Sequence, residues 1–263
     1  MGDPVRHSLS PTIYNAAFAE LGLDWVFVAF DVEDGRADEV LDAVRILDLG
    51  WLSVTMPHKR AVAERVDRAS DDAKALDAVN CVINDNGVLV GENTDGEGFL
   101  AALEVETGFT AAGHSCAVLG AGGAARAVVR ALALAGADEI VIVNRTRANA
   151  DHVAQLALGV GRVGVVGDIL RADLIVNATP VGMGDDPGLP LDPELLDPRQ
   201  VLADLIYEPS VTPLLAAARG RGLTVVNGLG MLVHQAARQF ELVTGQSAPL
   251  GTMSAAARAQ LAG

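Results

Sequence analysis

The stretch Ser115 to Arg126, S-C-A-V-L-G-A-G-G-A-A-R, limits what this chain can fold into more than any other. Cys116 to Leu119 is a short apolar run of the kind that makes a buried strand. The run breaks at Gly120, Gly122 and Gly123, and from Ala124 the residues favour a helix that stops at Gly136. A strand, a glycine turn and a helix of this length open a dinucleotide-binding unit. Small residues let backbone approach a pyrophosphate, and the helix N-terminus turns its unpaired N–H groups and positive dipole end toward it. Gly120, Ala121, Gly122, Gly123 and Ala124 are therefore the candidate cradle. The plainer alternative is a tight strand-to-helix turn with no ligand.

Strands and helices alternate on both sides of this motif. Ahead of it come a loop at Gly2 to Pro11, a helix pattern at Thr12 to Leu21 and an apolar strand at Trp25 to Phe30. An amphipathic helix at Asp38 to Leu47, a strand at Trp51 to Thr55 and a charged helix at Ala61 to Arg68 follow. Ala78 to Asn84 then pairs with Val88 to Val90 as a hairpin turning at Asn86-Gly87. Glu92 to Phe99 reads as a glycine-containing connection. Beyond the motif, apolar strands at Glu139–Val143, Leu174–Ala178, Val201–Ile206 and Leu223–Val226 alternate with helix patterns, which means a doubly wound parallel sheet. The reading is α/β with two domains: 98–228 as a Rossmann-type dinucleotide domain, and 1–97 plus 229–263 as a substrate-binding and catalytic domain to which the C-terminal helices return.

Charge and cysteine usage narrow the partners. A formal net charge of −15 repels nucleic acid and acidic membrane faces. A small anionic ligand is still accommodated where arginines and helix N-termini gather. No apolar run is long enough to span a bilayer, and the start carries no secretory pattern. Cys81 and Cys116 sit in apolar surroundings, and the five histidines lack ligand spacing, so no metal site is expected. These features suit a cytoplasmic protein.

Several polar residues on loops carry the chemistry. The strand at Glu139–Val143 runs into Asn144-Arg145-Thr146, with Arg147 next. An NAD binder has an acid near that strand end to grip the ribose 2′-hydroxyl, whereas a guanidinium and a hydroxyl suit the 2′-phosphate of NADP. Arg145 also reads as a solvated residue at a helix start. Asn177-Ala178-Thr179-Pro180 closes another strand at the carboxyl edge, where open sheets bind ligands. Ser8 and Ser10 put two hydroxyls near a helix start and suit a carboxylate, while Ser10 before Pro11 also reads as an ordinary N-cap. The chain has two lysines, Lys59 and Lys74. Lys59 follows a strand end beside Thr55 and is a candidate proton donor, because arginine keeps its proton. Asp95 is a candidate partner for it, or a structural turn residue.

Taken in order, these segments resemble the shikimate dehydrogenases over nearly the whole chain. The matching motifs are Gly2-x-Pro4-Val5-x-His7-Ser8-x-Ser10-Pro11, Val54-Thr55-x-Pro57-x-Lys59, Ala78-Val79-Asn80 and Asn93-Thr94-Asp95-Gly96. They continue with Gly120-Ala121-Gly122-Gly123-Ala124-x-Arg126, Asn144-Arg145-Thr146, Asn177-Ala178-Thr179-Pro180 and Gly228-Leu229-Gly230-Met231-Leu232-Val233-x-Gln235. The resemblance implies reversible NADPH-dependent reduction of 3-dehydroshikimate to shikimate, by a monomer or homodimer. It implies that Ser8 and Ser10 hold the substrate carboxylate and that Thr55, Asn80, Asp95 and Gln235 hold ring hydroxyls. Lys59 and Asp95 would be the catalytic pair, in a cleft whose closure excludes water. Tyr207 would lie near the substrate, and Gly228 and Met231 near the nicotinamide.

The chain departs from the family pattern in three places. An apolar strand is expected before Gly2: either the reading frame begins upstream of Met1, the preferred reading, or the substrate-binding sheet lacks one strand and the Ser8 loop is poorly anchored. Ser53 stands where the family commonly has Asn, and Asn149 where it often has a further Arg that Arg147 would replace. Two rival readings are a quinate/shikimate dehydrogenase using NAD and a non-catalytic ligand sensor on the same fold.

Overall fold

The computed structural model describes residues 1–262 and divides into two compact units, Met1–Thr94 with Gln235–Gly263, and Asp95–His234. In chain order the elements are α1 (Ser10–Leu21), α2 (Ala37–Ile46), β1 (Trp51–Ser53), α3 (Lys59–Ala63), β2 (Arg68–Ala69), α4 (Asp71–Leu76), β3 (Cys81–Asp85) and β4 (Val88–Glu92). The second unit adds α5 (Asp95–Thr107), β5 (Ser115–Leu119), α6 (Gly123–Leu134), β6 (Glu139–Val143), α7 (Arg147–Gln155), β7 (Gly161–Val163), β8 (Leu174–Asn177), β9 (Val201–Asp204), α8 (Pro213–Gly220) and β10 (Thr224–Val226). The unit boundary falls within α9 (Leu229–Thr244), and α10 (Leu250–Ala262) belongs to the first unit.

In the second unit six parallel strands run in the order β10-β9-β8-β5-β6-β7, a doubly wound sheet whose strand order reverses at β5. Both faces are covered, which is why β5 reads as a continuous apolar run. Cys116 and Val118 point into one core with Val128 and Leu132 of α6, while Ala117 and Leu119 point into the opposite core with Leu202 and Leu215. Helix α6 buries Ala125, Val128, Val129 and Leu132, a stripe at helical spacing. It ends where Ala137 donates back to Leu132 and Gly136 turns left-handed.

The first unit is built on a mixed sheet in the order β1-β3-β4-β2, with β3 and β4 joined at Asn86-Gly87, both at positive φ. Two readings change here. The apolar run at Trp25 to Phe30 suggests a strand, and the described residues there form none. Asn15 takes both the N–H and the carbonyl of Phe27, at 2.7 and 2.9 Å, so a side chain occupies the groups a ladder would use. Trp25 and Phe27 instead stack on Trp51, while Val26 and Val28 stay exposed. The segment read as a connection, Glu92 to Phe99, gives way to α5 from Asp95. Its Gly96 lies so close to α6 that an added Cβ would come 2.8 Å from that of Ala131. Cys81 and Cys116 are free and buried, and burial pushes both thiols up, that of Cys116 to about 12.

Candidate active site

The glycine turn of the second unit has two kinds of glycine. Gly120 lies at φ +106°, its N–H donates to Val143 at 2.9 Å, and a Cβ there would meet the Ala178 carbonyl at 2.8 Å. It is glycine because the chain is crowded. Gly122 and Gly123 are exposed, and apart from the adjoining residues and the helix's own backbone nothing described lies within 4 Å of where a Cβ would stand. They leave open room at the start of α6, between the half-exposed Ala121 and Ala124. In the first turn of that helix the buried Nε of Arg126 has no acceptor among the described residues. An open N-terminal cradle beside an unsatisfied guanidinium donor fits a diphosphate.

At the end of β6, Asn144 donates to the Thr146 carbonyl at 2.9 Å, which shapes the turn. Arg145 and Thr146 are exposed, and Arg147 lies 3.8 Å from Asp151 across one helical turn. No acid stands between Asn144 and Arg147, so the turn fits the 2′-phosphate of NADP.

Beneath the carboxyl ends of β8 and β9 lies a buried network around Asp204. Its carboxylate accepts from the Thr212 hydroxyl at 2.7 Å, from Asn177 Nδ2 at 3.0 Å and from the Ile206 N–H at 3.2 Å. Burial pushes its carboxyl above the usual range, opposed by those donors. A carboxylate only accepts, so it fixes which end of the Asn177 amide faces it. Asn177 Oδ1 is thereby turned to Thr179, accepting from its hydroxyl at 2.7 Å and its N–H at 3.1 Å. The Thr179 hydroxyl is thus engaged within its own loop. Gly228 is packed so tightly that a Cβ would fall 2.0 Å from the Leu205 carbonyl oxygen, and Met231 borders a cavity that Asp204, Phe99 and Asn227 also line. Tyr207 follows β9, half-buried, its phenol pushed up by burial.

The first unit gathers a second polar cluster. Asn80, 2% exposed, accepts from the Thr94 N–H at 2.9 Å and donates to the Thr94 hydroxyl at 3.1 Å and to Gln235 Oε1 at 3.4 Å. The Thr94 hydroxyl in turn donates to the Gln235 carbonyl at 3.2 Å. Lys59 opens α3, and its carbonyl accepts from the Val79 N–H at 2.9 Å, fastening it beside Asn80. The neighbouring His58 is fully buried, and its Nε2–H donates to the Val32 carbonyl at 2.8 Å, tethering the loop that carries Lys59. Thr55 is exposed at the head of that loop. The Ser8 hydroxyl accepts from the Ser10 N–H at 3.2 Å, while the Ser10 side chain caps nothing: α1 begins at Ser10 itself, with Leu9 at the cap. Of the expected catalytic pair, Lys59 belongs to the first unit, and Asp95, buried, opens the second.

The sequence reading misses Gln239. It is 1% exposed and touches Tyr14, Ser53, Asn80, Thr94 and Gln235. Its one sequence signal is its spacing, one helical turn beyond Gln235. Among the described residues no group of His, Cys, Asp or Glu is arranged to hold a metal ion, and no helix is long and apolar enough to cross a membrane.

Comparison with known proteins points to one family. Family models described as the shikimate dehydrogenase substrate binding domain, the shikimate/quinate 5-dehydrogenase and the shikimate 5′-dehydrogenase C-terminal domain match residues 1–82, 101–179 and 228–258. The shikimate dehydrogenase (NADP(+)) of Methanopyrus kandleri is 46% identical over 96% of this chain and 91% of its own length. That of Moorella thermoacetica is 43% identical over 96% and 89%. The crystal structure of shikimate 5-dehydrogenase from Thermus thermophilus with NADP(H) and shikimate matches with a TM-score of 0.93 at 38% identity, covering 99% of this chain and 97% of that one. By sequence along its full length and by fold, the chain belongs to the shikimate dehydrogenase family.

Proposed function

We propose that this chain catalyses the reversible NADPH-dependent reduction of 3-dehydroshikimate to shikimate, a step in the biosynthesis of aromatic amino acids. The observation that carries this reading is the lysine bound by its own carbonyl beside a buried cluster of uncharged amides and hydroxyls. Such a cluster suits a polyol ring, and a lysine whose backbone is anchored beside it supplies an ammonium for a reacting carbonyl oxygen. NADPH, when bound, supplies the hydride. Gly120, Ala121, Gly122, Gly123 and Ala124 would hold its diphosphate, Asn144, Arg145, Thr146 and Arg147 its 2′-phosphate, and Thr179, Gly228 and Met231 its nicotinamide end. Ser8 and Ser10 would hold the substrate carboxylate, with Thr55, Asn80, Asp95, Tyr207 and Gln235 around the ring.

Addition of hydride to the carbonyl carbon leaves an alkoxide. Lys59 stabilises that charge and returns a proton to the oxygen, and Asp95 orients the ammonium. In this reading residues 1–97 and 229–263 serve the substrate, and 98–228 serve the dinucleotide. The working protein is a cytoplasmic monomer or homodimer whose partner is a small anion, with no nucleic acid. Absorbance at the nicotinamide band, followed for shikimate and quinate with NADP+ and NAD+, tests the assignment. The highest kcat/KM is expected for shikimate with NADP+; a higher value for quinate with NAD+ would overturn it.

A further inference from the structure

We infer that Gln239 is a positioning residue that sets the orientation of the Gln235 amide and so makes Gln235 a hydrogen-bond donor toward the substrate. The inference rests on the proposed shikimate chemistry and adds a residue to it. Gln239 lies four residues beyond Gln235 on α9, on the same helix face. A glutamine this deeply buried is held only where both ends of its amide are satisfied.

Both ends are. Oε1 accepts from the Tyr14 hydroxyl at 2.8 Å and from the Ser53 hydroxyl at 2.6 Å. Tyr14 is wholly buried, and burial keeps its phenol protonated far above ordinary pH, so it remains a donor. Two hydroxyl protons on one side fix the oxygen end there, and the NH2 end must face the other way. There Nε2 donates to Gln235 Oε1 at 2.8 Å, with the Asn80 carbonyl and the Thr94 hydroxyl further off, each at 3.3 Å.

The consequence passes to Gln235. Its Oε1 is engaged by Gln239, and Asn80 Nδ2 points at the same oxygen from 3.4 Å. The amide is planar, so its NH2 end is turned away from Gln239. An unguided amide would flip between donor and acceptor at little cost. Gln239 removes that choice, its own amide being held on the far side by Tyr14 and Ser53.

The test uses the full-length protein, with steady-state kinetics for shikimate and NADP+ and a fluorescence titration for the Kd of NADPH. Gln239→Glu keeps an acceptor for Tyr14 and Ser53 but removes the N–H aimed at Gln235. The shikimate KM is expected to rise about tenfold, the worth of one charge-affected hydrogen bond, with the Kd of NADPH unchanged within about twofold. In a Gln235→Ala background the same substitution should add nothing, because its effect passes through Gln235. An unchanged KM, or equal increments in both backgrounds, would overturn the inference while leaving the proposed reaction intact. If Gln239→Glu does not fold, Tyr14→Phe removes a proton donor from the same Oε1: a rise in shikimate KM of about threefold supports the inference, and no rise overturns it. A wild-type protein that does not oxidise shikimate overturns the reaction and this inference together.

Discussion

The two buried polar networks are built on opposite plans. Around Asp204, neighbouring parallel strands end side by side: Asn177 closes β8, and Thr179 and Thr212 follow in the segments that leave β8 and β9. Around Gln239, the partners arrive from distant parts of the chain: Tyr14 from α1, Ser53 from β1, Asn80 and Thr94 from either end of the hairpin. The first network contains a carboxylate with no cation beside it among the described residues, and Gln239 meets amides, hydroxyls and a backbone carbonyl. Topology alone assembles a site at the carboxyl edge of a parallel sheet. A mixed sheet offers no such edge, and the first unit makes its cluster by having α9 come back across it.

The difference can be broken in four ways, and the largest effect concerns Lys59. Lys59→Ala should lower kcat by about 10³-fold while moving the shikimate KM by less than about threefold, because the ammonium acts on charge that develops in the transition state. Steady-state assays at saturating NADP+ measure both, and an unchanged kcat removes Lys59 from the mechanism. Next is Gly228→Ala. Its new methyl would collide with the Leu205 carbonyl, which is backbone and has little room to give. The expected loss is about 3 kcal/mol, read as a lower midpoint in thermal unfolding followed by circular dichroism.

Asp204→Asn sharpens the contrast between the networks. It places an amide opposite the Asn177 amide and frees the latter to turn, at a cost of about 2 kcal/mol. The Kd of NADPH should weaken several-fold with the shikimate KM unchanged, the mirror image of Gln239→Glu. Equal effects on both ligands would mean that the networks are not separable. The smallest effect is one of pH. Burial holds the His234 imidazole below its usual pKa of 6.5, so the unfolded chain takes up a proton there more readily than the folded one. The stability tied to neutral His234 is therefore present above pH 6.5 and declines as pH falls below it. His234→Gln should flatten the dependence of urea midpoints between about pH 7 and 5, which titration of the two proteins would measure.

What could be read in advance followed the same divide. The glycine turn, the bounds of β6 and the basic turn after it lie within a few residues of one another, and strand, turn and helix preferences place them. Asn80, Thr94 and Gln235 lie in recognisable motifs and meet in one cluster, but Gln239 carries no motif, and its partners Ser53 and Tyr14 stand 186 and 225 residues away. Its spacing from Gln235 is the one local mark of such a residue. Trp25 to Phe30 misleads for a related reason: apolar content records what suits a sheet, not whether a neighbouring strand is there to pair with. Gly96 misleads in the opposite sense. It suggests a loop, and in the structure its missing side chain lets two helices touch.

The seclusion of Cys81 and Cys116 makes this protein convenient for spectroscopy. A maleimide dye added to the native fold meets no thiol in solvent. Cysteines introduced at Ile46 and Val105, 80% and 70% exposed and one in each unit, would take up label at those points alone. A fluorophore pair there can follow whether shikimate and NADPH change the distance between the labels, with the native sulfur atoms left in place.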